Sequence, residues 1–129
     1  MKRLIFILLL PAVLLGGCVG HLDPAGLYHG DQNLYVAHQT ITTSYTVLDA
    51  FLKFELANRN TLKATPEVTR LADDIRLHAK GWWTSAEALT DAYAANPTPD
   101  NAVSLNKAIA VIQTALDQAT KYLVTQPTS

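Results

Sequence analysis

Two histidine–aspartate pairs near the start of the chain have the chemistry to bind a metal ion. They are His21 with Asp23 and His29 with Asp31, and one residue separates the members of each pair. Imidazole and carboxylate groups are competent ligands for zinc and related ions. Their spacing matches none of the common metal-binding motifs, and the surrounding residues have no sustained periodicity. We therefore interpret this segment as a solvated linker and expect no cofactor, with these four residues as alternative candidates for a metal site.

Residues suited to acid–base or nucleophilic catalysis are scattered along the chain. His38 and His78 fall on or beside the apolar stripes of predicted helices, at different heights of the expected bundle. Asp73 and Asp74 are adjacent, and neighbouring helical residues diverge by about 100°, so the two carboxylates cannot face one substrate. The sequence also contains no G-x-S-x-G, H-E-x-x-H or glycine-rich phosphate-loop motif. We therefore expect a protein that is not an enzyme.

Two adjacent tryptophans are the residues best suited to contact another molecule. If Trp82 lies in the core of a helical protein, Trp83 points about 100° away, to a flank or outward. An exposed tryptophan on a helix is a good anchor for a partner protein or for the face of a peptidoglycan sugar. Trp83 is therefore the candidate partner contact, with Tyr93 and Tyr35 as companions. The alternative is that both tryptophans pack into the seam between the first and third helices.

Composition limits the classes of protein that this chain can belong to. It has 129 residues, 10 Lys plus Arg against 11 Asp plus Glu, and a formal net charge of −1. That balance provides no basic field for phosphates, so we expect no nucleic-acid partner. Hydrophobic residues make up 49% of the chain and charged residues 16%, which excludes a disordered polyampholyte. A single cysteine excludes an intramolecular disulfide and a cysteine-rich zinc site.

The first eighteen residues have the pattern of a targeting segment. Lys2 and Arg3 precede an apolar run of 12 residues, which is shorter than the roughly 20 needed to span a bilayer. Leu15, Gly16, Gly17 and Cys18 follow, an aliphatic residue and two small residues before the only cysteine of the chain. This stretch resembles the lipobox of bacterial lipoprotein precursors, and the resemblance covers residues 1–18 only.

The lipobox resemblance implies a location in the cell envelope and a lipid anchor. In that class the cysteine thiol, here Cys18, receives a diacylglyceryl group, and the chain is cut between the residues that match Gly17 and Cys18. Residues 1–17 would then be a signal peptide, residues 18–30 a flexible lipidated tether, and the bilayer a partner reached through the acyl chains. The alternatives are an uncleaved membrane anchor or an ordinary signal peptide. Val19 stands where an Asp signals inner-membrane retention in enteric lipoproteins, which favours the periplasmic face of the outer membrane.

The remaining residues carry three helical patterns, predicted at about 31–58, 66–95 and 99–125. Apolar residues recur at steps of three and four in each, and Thr-Pro-acid sequences precede the second and third. The weak point is the threonine-rich segment 40–46, whose β-branched residues lower helix propensity. We expect Gly81 to let a neighbouring helix approach beside Trp82. Short loops between long helices favour antiparallel neighbours, so we predict an all-α fold, an up-down-up three-helix bundle over residues 31–126.

A second apolar stripe on the first and third helices leaves two interpretations open. On the third helix it comprises Ala108, Val111, Ala115 and Tyr122. A helix that touches two neighbours needs such width, so the stripe can belong to the core. It can also be a face for self-association or for docking a partner.

Together these features predict a small envelope lipoprotein that acts through protein–protein contact as a non-catalytic adapter. A second hypothesis is an inhibitor or exclusion factor that blocks an envelope enzyme or receptor. A third is a carrier of a metal or small ligand that uses the histidine-rich N-terminal half.

Overall fold

The computed structural model of the chain describes residues 21–22, 28–60 and 66–125. Three long helices account for most of them: α1 is Gln32–Asn58, α2 is Pro66–Ala95 and α3 is Pro99–Val124. These limits agree with the predicted helices to within one residue. The all-α class and the three-helix bundle are therefore confirmed.

A short ladder precedes the helices and was not predicted from the sequence. Its strands are β1, His21–Leu22, and β2, Tyr28–His29, which pair antiparallel with His21 opposite His29 and Leu22 opposite Tyr28. Contacts divide the chain into an N-terminal unit that ends at Gln32 and a helical unit that begins at Asn33. The ladder belongs to the first unit and the bundle to the second.

The start of α3 follows the helix-initiation pattern read from the sequence. Thr98 adopts an extended conformation and its side chain accepts a hydrogen bond from the backbone N–H of Asn101 at 3.3 Å, while Pro99 occupies the first turn. The cap satisfies one of the backbone donors that a helix start leaves unpaired, and proline suits the first turn because it has no donor there. The corresponding cap of α2, Thr65, lies outside the described residues.

Side-chain contacts give the direction of each helix. Asn33 near the start of α1 bonds to Tyr93 near the end of α2, and Glu55 near the end of α1 pairs with Arg76 in the first half of α2. These two helices are therefore antiparallel. Phe51 of α1 lies 6.2 Å, ring to ring, from Tyr122 near the end of α3, so α1 and α3 are parallel. The order is up, down, up, as predicted.

The core is built from one buried stripe on each helix. The backbones of α2 and α3 make the closest approach in the bundle, and the buried stripe of α2 includes three small residues spaced by seven. Helix α1 contributes larger side chains, of which Leu48 and Phe51 are fully buried. The small buried residues of α2 are Ala72, Ala79 and Ala86.

The second stripe of α3 lies mostly against the core. Ala115 is buried, and Ala108 and Tyr122 pack against the buried cluster, whereas Val111 is 46% exposed. The threonine-rich segment of α1 is helical, and two of its polar residues, Thr40 and Ser44, are buried. None of the helices in the described ranges combines the length and the apolar character needed to cross a membrane.

The prediction for Gly81 is wrong. It was expected to give a neighbouring helix room, but it is exposed, and a methyl group added at its α-carbon would meet no atom within 4 Å. The residue therefore has no packing role among the described residues. It carries only the conformational cost of glycine within a helix.

Replacing Gly81 with alanine is expected to stabilise the protein by about 1 kcal/mol, because alanine loses less backbone entropy in a helix. Urea unfolding followed by circular dichroism measures the change. An unchanged or reduced unfolding free energy would show that the glycine is needed where it stands.

Candidate functional site

Trp83 lies at the seam between α1 and α2, not in the seam between α1 and α3. Its ring is half-buried, and its Nε1–H donates to Ser44 Oγ at 2.8 Å. The Ser44 hydroxyl is fully buried and donates in turn to the Ile41 carbonyl at 2.7 Å. Trp82 lies on another edge of α2, where its ring stacks near His78 with centroids 6.1 Å apart. The two tryptophans diverge as predicted, and both pack against the core.

Tyr45 covers Trp83 on the outer side of this seam. The two ring centroids are 4.2 Å apart, and the tyrosine hydroxyl donates to Glu87 Oε1 at 3.0 Å. Burial of the hydroxyl, followed by its hydrogen bond to the Glu87 carboxylate, raises the pKa of Tyr45 above its ordinary value. Tyr45 is nevertheless 44% exposed. We call Tyr45, Trp83 and Glu87 the aromatic face.

The other two predicted contact residues do not join the aromatic face. Tyr93 is only 6% exposed, and its hydroxyl accepts a hydrogen bond from Asn33 Nδ2 at 3.1 Å. It stands ten residues after Trp83, which is about 15 Å along the helix axis. Tyr35 is half-buried in the first turn of α1. The structure therefore places both tyrosines at the end of the bundle where α1 begins, away from Trp83.

Tyr45 was not predicted as a contact residue from the sequence. Nothing in its local sequence indicates that its ring lies against Trp83. The contact depends on how α1 and α2 align. A tyrosine on one helix can meet a tryptophan on the other only if the two residues lie at the same height in the bundle.

Replacing Trp83 with phenylalanine is expected to cost about 1–2 kcal/mol, since the indole bond to Ser44 and part of the buried ring are lost. Trp82→Phe is the matched control, because Trp82 is also half-buried but donates no hydrogen bond to any residue in the described part of the chain. Urea unfolding of both variants measures the difference. Equal losses would mean that the Ser44 bond contributes nothing.

Glu55 forms the most buried ionic contact of the bundle. Its carboxylate has no exposed surface and accepts two bonds from Arg59, from Nε at 2.8 Å and from Nη2 at 3.1 Å. Arg76 of α2 also donates to it, so the cluster ties α1 to α2. The hydrogen bonds from Arg59, supported by Arg76 and opposed by burial, lower the pKa of Glu55. The Glu55–Arg59 contact joins residues four apart in the chain, whereas the contact to Arg76 depends on how α1 and α2 align.

The scattered acids and histidines remain separate in the structure. Asp73 pairs with Arg76 at 3.0 Å, whereas Asp74 lies 3.6 Å from His78 Nε2, so the adjacent carboxylates have different partners. His38 is exposed on α1. Within the described ranges, no three His, Cys, Asp or Glu side chains are grouped so as to hold a metal ion.

Several predicted site residues fall where the structure makes no statement. Gly17, Cys18 and Asp23 lie outside the described residues, and the side chains of His21 and His29 are not described either. The backbone register sets His21 opposite His29. Asp31 is the residue immediately before α1 and is half-buried. Comparisons with protein families, curated proteins and solved structures found no match to this chain.

Proposed function

We propose that this chain is a non-catalytic lipoprotein of the bacterial envelope, anchored through acylated Cys18, whose bundle binds an envelope protein through the aromatic face. The anchor rests on the lipobox-like sequence that ends at Cys18. The binding role rests on one observation, the exposed ring of Tyr45 held between Trp83 and Glu87. We favour the periplasmic face of the outer membrane because Val19 follows the cysteine.

The aromatic face is suited to binding because its parts are held in place before a partner arrives. Trp83 is fixed by Ser44, and Tyr45 is fixed by stacking on Trp83 and by its bond to Glu87. A preorganised aromatic side chain loses little conformational entropy on binding, which is why tyrosine and tryptophan dominate the energetics of many interfaces. Tyr45 supplies an exposed ring of this kind.

The charges beside Tyr45 indicate the chemistry of the partner. Glu87 and Asp91 are both exposed and lie four residues apart on α2, so their carboxylates are neighbours on one side of the helix. A cation that approaches Tyr45 meets the negative face of the ring together with these carboxylates. The partner surface that fits best therefore carries lysine or arginine.

The buried polar groups of the bundle support a binding role over a catalytic one. In the described part of the chain, every buried side-chain nitrogen or oxygen has a hydrogen-bond partner. Glu55 pairs with arginines, Ser44 bonds to Trp83 and Ile41, and Thr90 donates to the Ala86 carbonyl at 2.7 Å. Glu55 and Ser44 bond between α1 and α2 and Thr90 bonds within α2, so each of these groups already has a partner in the fold.

Photo-crosslinking in the native envelope tests this proposal. A photoreactive amino acid replaces His38, which is exposed on α1 seven residues before Tyr45 and therefore on nearly the same side of the helix. The matched control replaces Val103, which is 52% exposed on α3. We expect a discrete adduct with an envelope protein from position 38 only, and we expect Tyr45→Ser to abolish it while the helical content is retained. An adduct that survives Tyr45→Ser, equal adducts from both positions, or none from either would contradict the proposal.

A further inference from the structure

A groove between the first turns of α2 and the last turns of α3 lies apart from the aromatic face. Its volume is about 490 Å³, within the range of sites that hold small molecules. Leu71, which is buried, and Tyr122, which is half-buried, contribute its apolar surface. Four charged residues border the groove. Arg70 and Lys121 are cations, and Glu67 and Asp74 are carboxylates.

The two cations of this groove are not used in holding the bundle together. Among the described residues, no carboxylate lies within 4 Å of Arg70 or Lys121. The other arginines of the bundle behave differently, because Arg59 and Arg76 both bind the buried Glu55. Arg70 and Lys121 are therefore free to receive an anionic group.

The two carboxylates exclude a ligand that is only anionic. Glu67 accepts a bond from the Tyr122 hydroxyl at 3.4 Å, and Asp74 lies 3.6 Å from His78. Both carboxylates border the same groove as the cations, so a phosphate or sulfate would be repelled as well as attracted. A ligand that carries both charges can pair with Arg70, Lys121 and Asp74, while Glu67 keeps its bond from Tyr122.

Arg70 and Asp74 are separated along the groove. The bond between Tyr122 and Glu67 sets the neighbouring Lys121 beside the start of α2, and Arg70 follows Glu67 by three residues. Asp74 lies four residues beyond Arg70, which is about 6 Å along the helix axis. An extended peptide of two residues has about the same length.

We infer that this groove binds a short zwitterionic peptide, with its carboxylate at Arg70 and Lys121 and its ammonium group at Asp74. The apolar surface of Leu71 and Tyr122 lines the same groove and suits small aliphatic side chains. This site is independent of the aromatic face, because it is formed by α3 with α2 instead of α1 with α2.

An NMR titration of the protein purified from the membrane fraction, in detergent micelles, tests the inference. The probe is dialanine with free termini, and the control ligand is dialanine with an acetylated amino end and an amidated carboxyl end. We expect the free peptide to shift the amide signals of residues that border the groove, with a weak, saturable affinity. We expect the capped peptide to leave them unshifted.

Variants give the second part of the test. Arg70→Gln, Lys121→Gln and Asp74→Asn are each expected to weaken the affinity by about tenfold, because each removes a charge-assisted hydrogen bond. Lys107→Gln is the control, since Lys107 is an exposed lysine of α3 that does not border the groove. No shift with free dialanine, equal shifts with the capped peptide, or equal effects of all four variants would overturn the inference. The crosslink from position 38 does not depend on these residues, so the two proposals fail separately.

Discussion

Replacing Arg76 with methionine is expected to destabilise the protein by about 3 kcal/mol at neutral pH. Methionine keeps much of the aliphatic length but leaves the buried Glu55 carboxylate with Arg59 alone. Removing one partner of a buried ion pair lowers the unfolding free energy because the remaining charge stays desolvated. We expect a loss at the low end of the usual range because Arg59 still binds Glu55. The lost contact between Arg76 and the exposed Asp73 adds little.

Arg70→Met is the matched control for this prediction. Arg70 is an exposed arginine on the same helix, and within the described ranges it has no carboxylate partner. Urea unfolding at neutral pH measures both variants. Adding Glu55→Gln to Arg76→Met is expected to recover part of the loss, since the uncompensated charge disappears. Equal losses from Arg76→Met and Arg70→Met would contradict a role for Arg76 in holding the buried carboxylate.

The pH dependence follows from the lowered pKa of Glu55. The ordinary value is 4.5, and the arginines hold the folded value below it. The ionised Glu55 therefore stabilises the fold fully above that ordinary value, and the contribution is lost as pH falls through the lowered folded pKa. The difference between the wild type and Arg76→Met should shrink as the pH is lowered from about 7 to about 3. A constant difference across this range would show that packing, not charge, accounts for the effect of Arg76.

Replacing Ala86 with leucine is expected to cost about 2–3 kcal/mol. Ala86 has no exposed surface, and it is one of the small residues in the buried stripe of α2. Three extra carbon atoms at this position force the helices apart or distort their side chains. Thermal or urea unfolding measures the loss.

Ala88→Leu controls for the change of residue type. Ala88 is exposed two residues further along the same helix, and leucine is nearly as good a helix former as alanine. This variant is expected to leave the unfolding free energy almost unchanged. Similar losses at both positions would mean that the packing of α2 in the core does not depend on the small residue.

The helices could be predicted because their signals are local. The apolar steps of three and four, the Thr98-Pro99 start and the favourable Glu55–Arg59 spacing are all set by residues near one another in the chain. The direction of the helices followed from the short loops. The ladder of β1 and β2 could not be predicted, because two-residue strands leave almost no periodicity in a sequence.

The candidate site was only partly predictable, because it depends on which residues of two helices meet. Trp83 was identified from its place beside Trp82, but the acceptor Ser44 lies 39 residues away. Tyr93 was grouped with Trp83 as an aromatic residue of the same helix, and the structure buries it against Asn33 instead. The pairing of Glu55 with Arg76 has the same origin, since it depends on the height at which α1 and α2 align.

The intact mass of the protein purified from the membrane fraction tests whether the chain has a lipid anchor. We expect a chain that begins at Cys18 and carries a diacylglyceryl group, and we expect Cys18→Ser to remove both this mass and the membrane residence. A native chain that begins upstream of Cys18 without a fatty chain would rule out the anchor. So would a Cys18→Ser protein that stays in the membrane with its acyl mass unchanged.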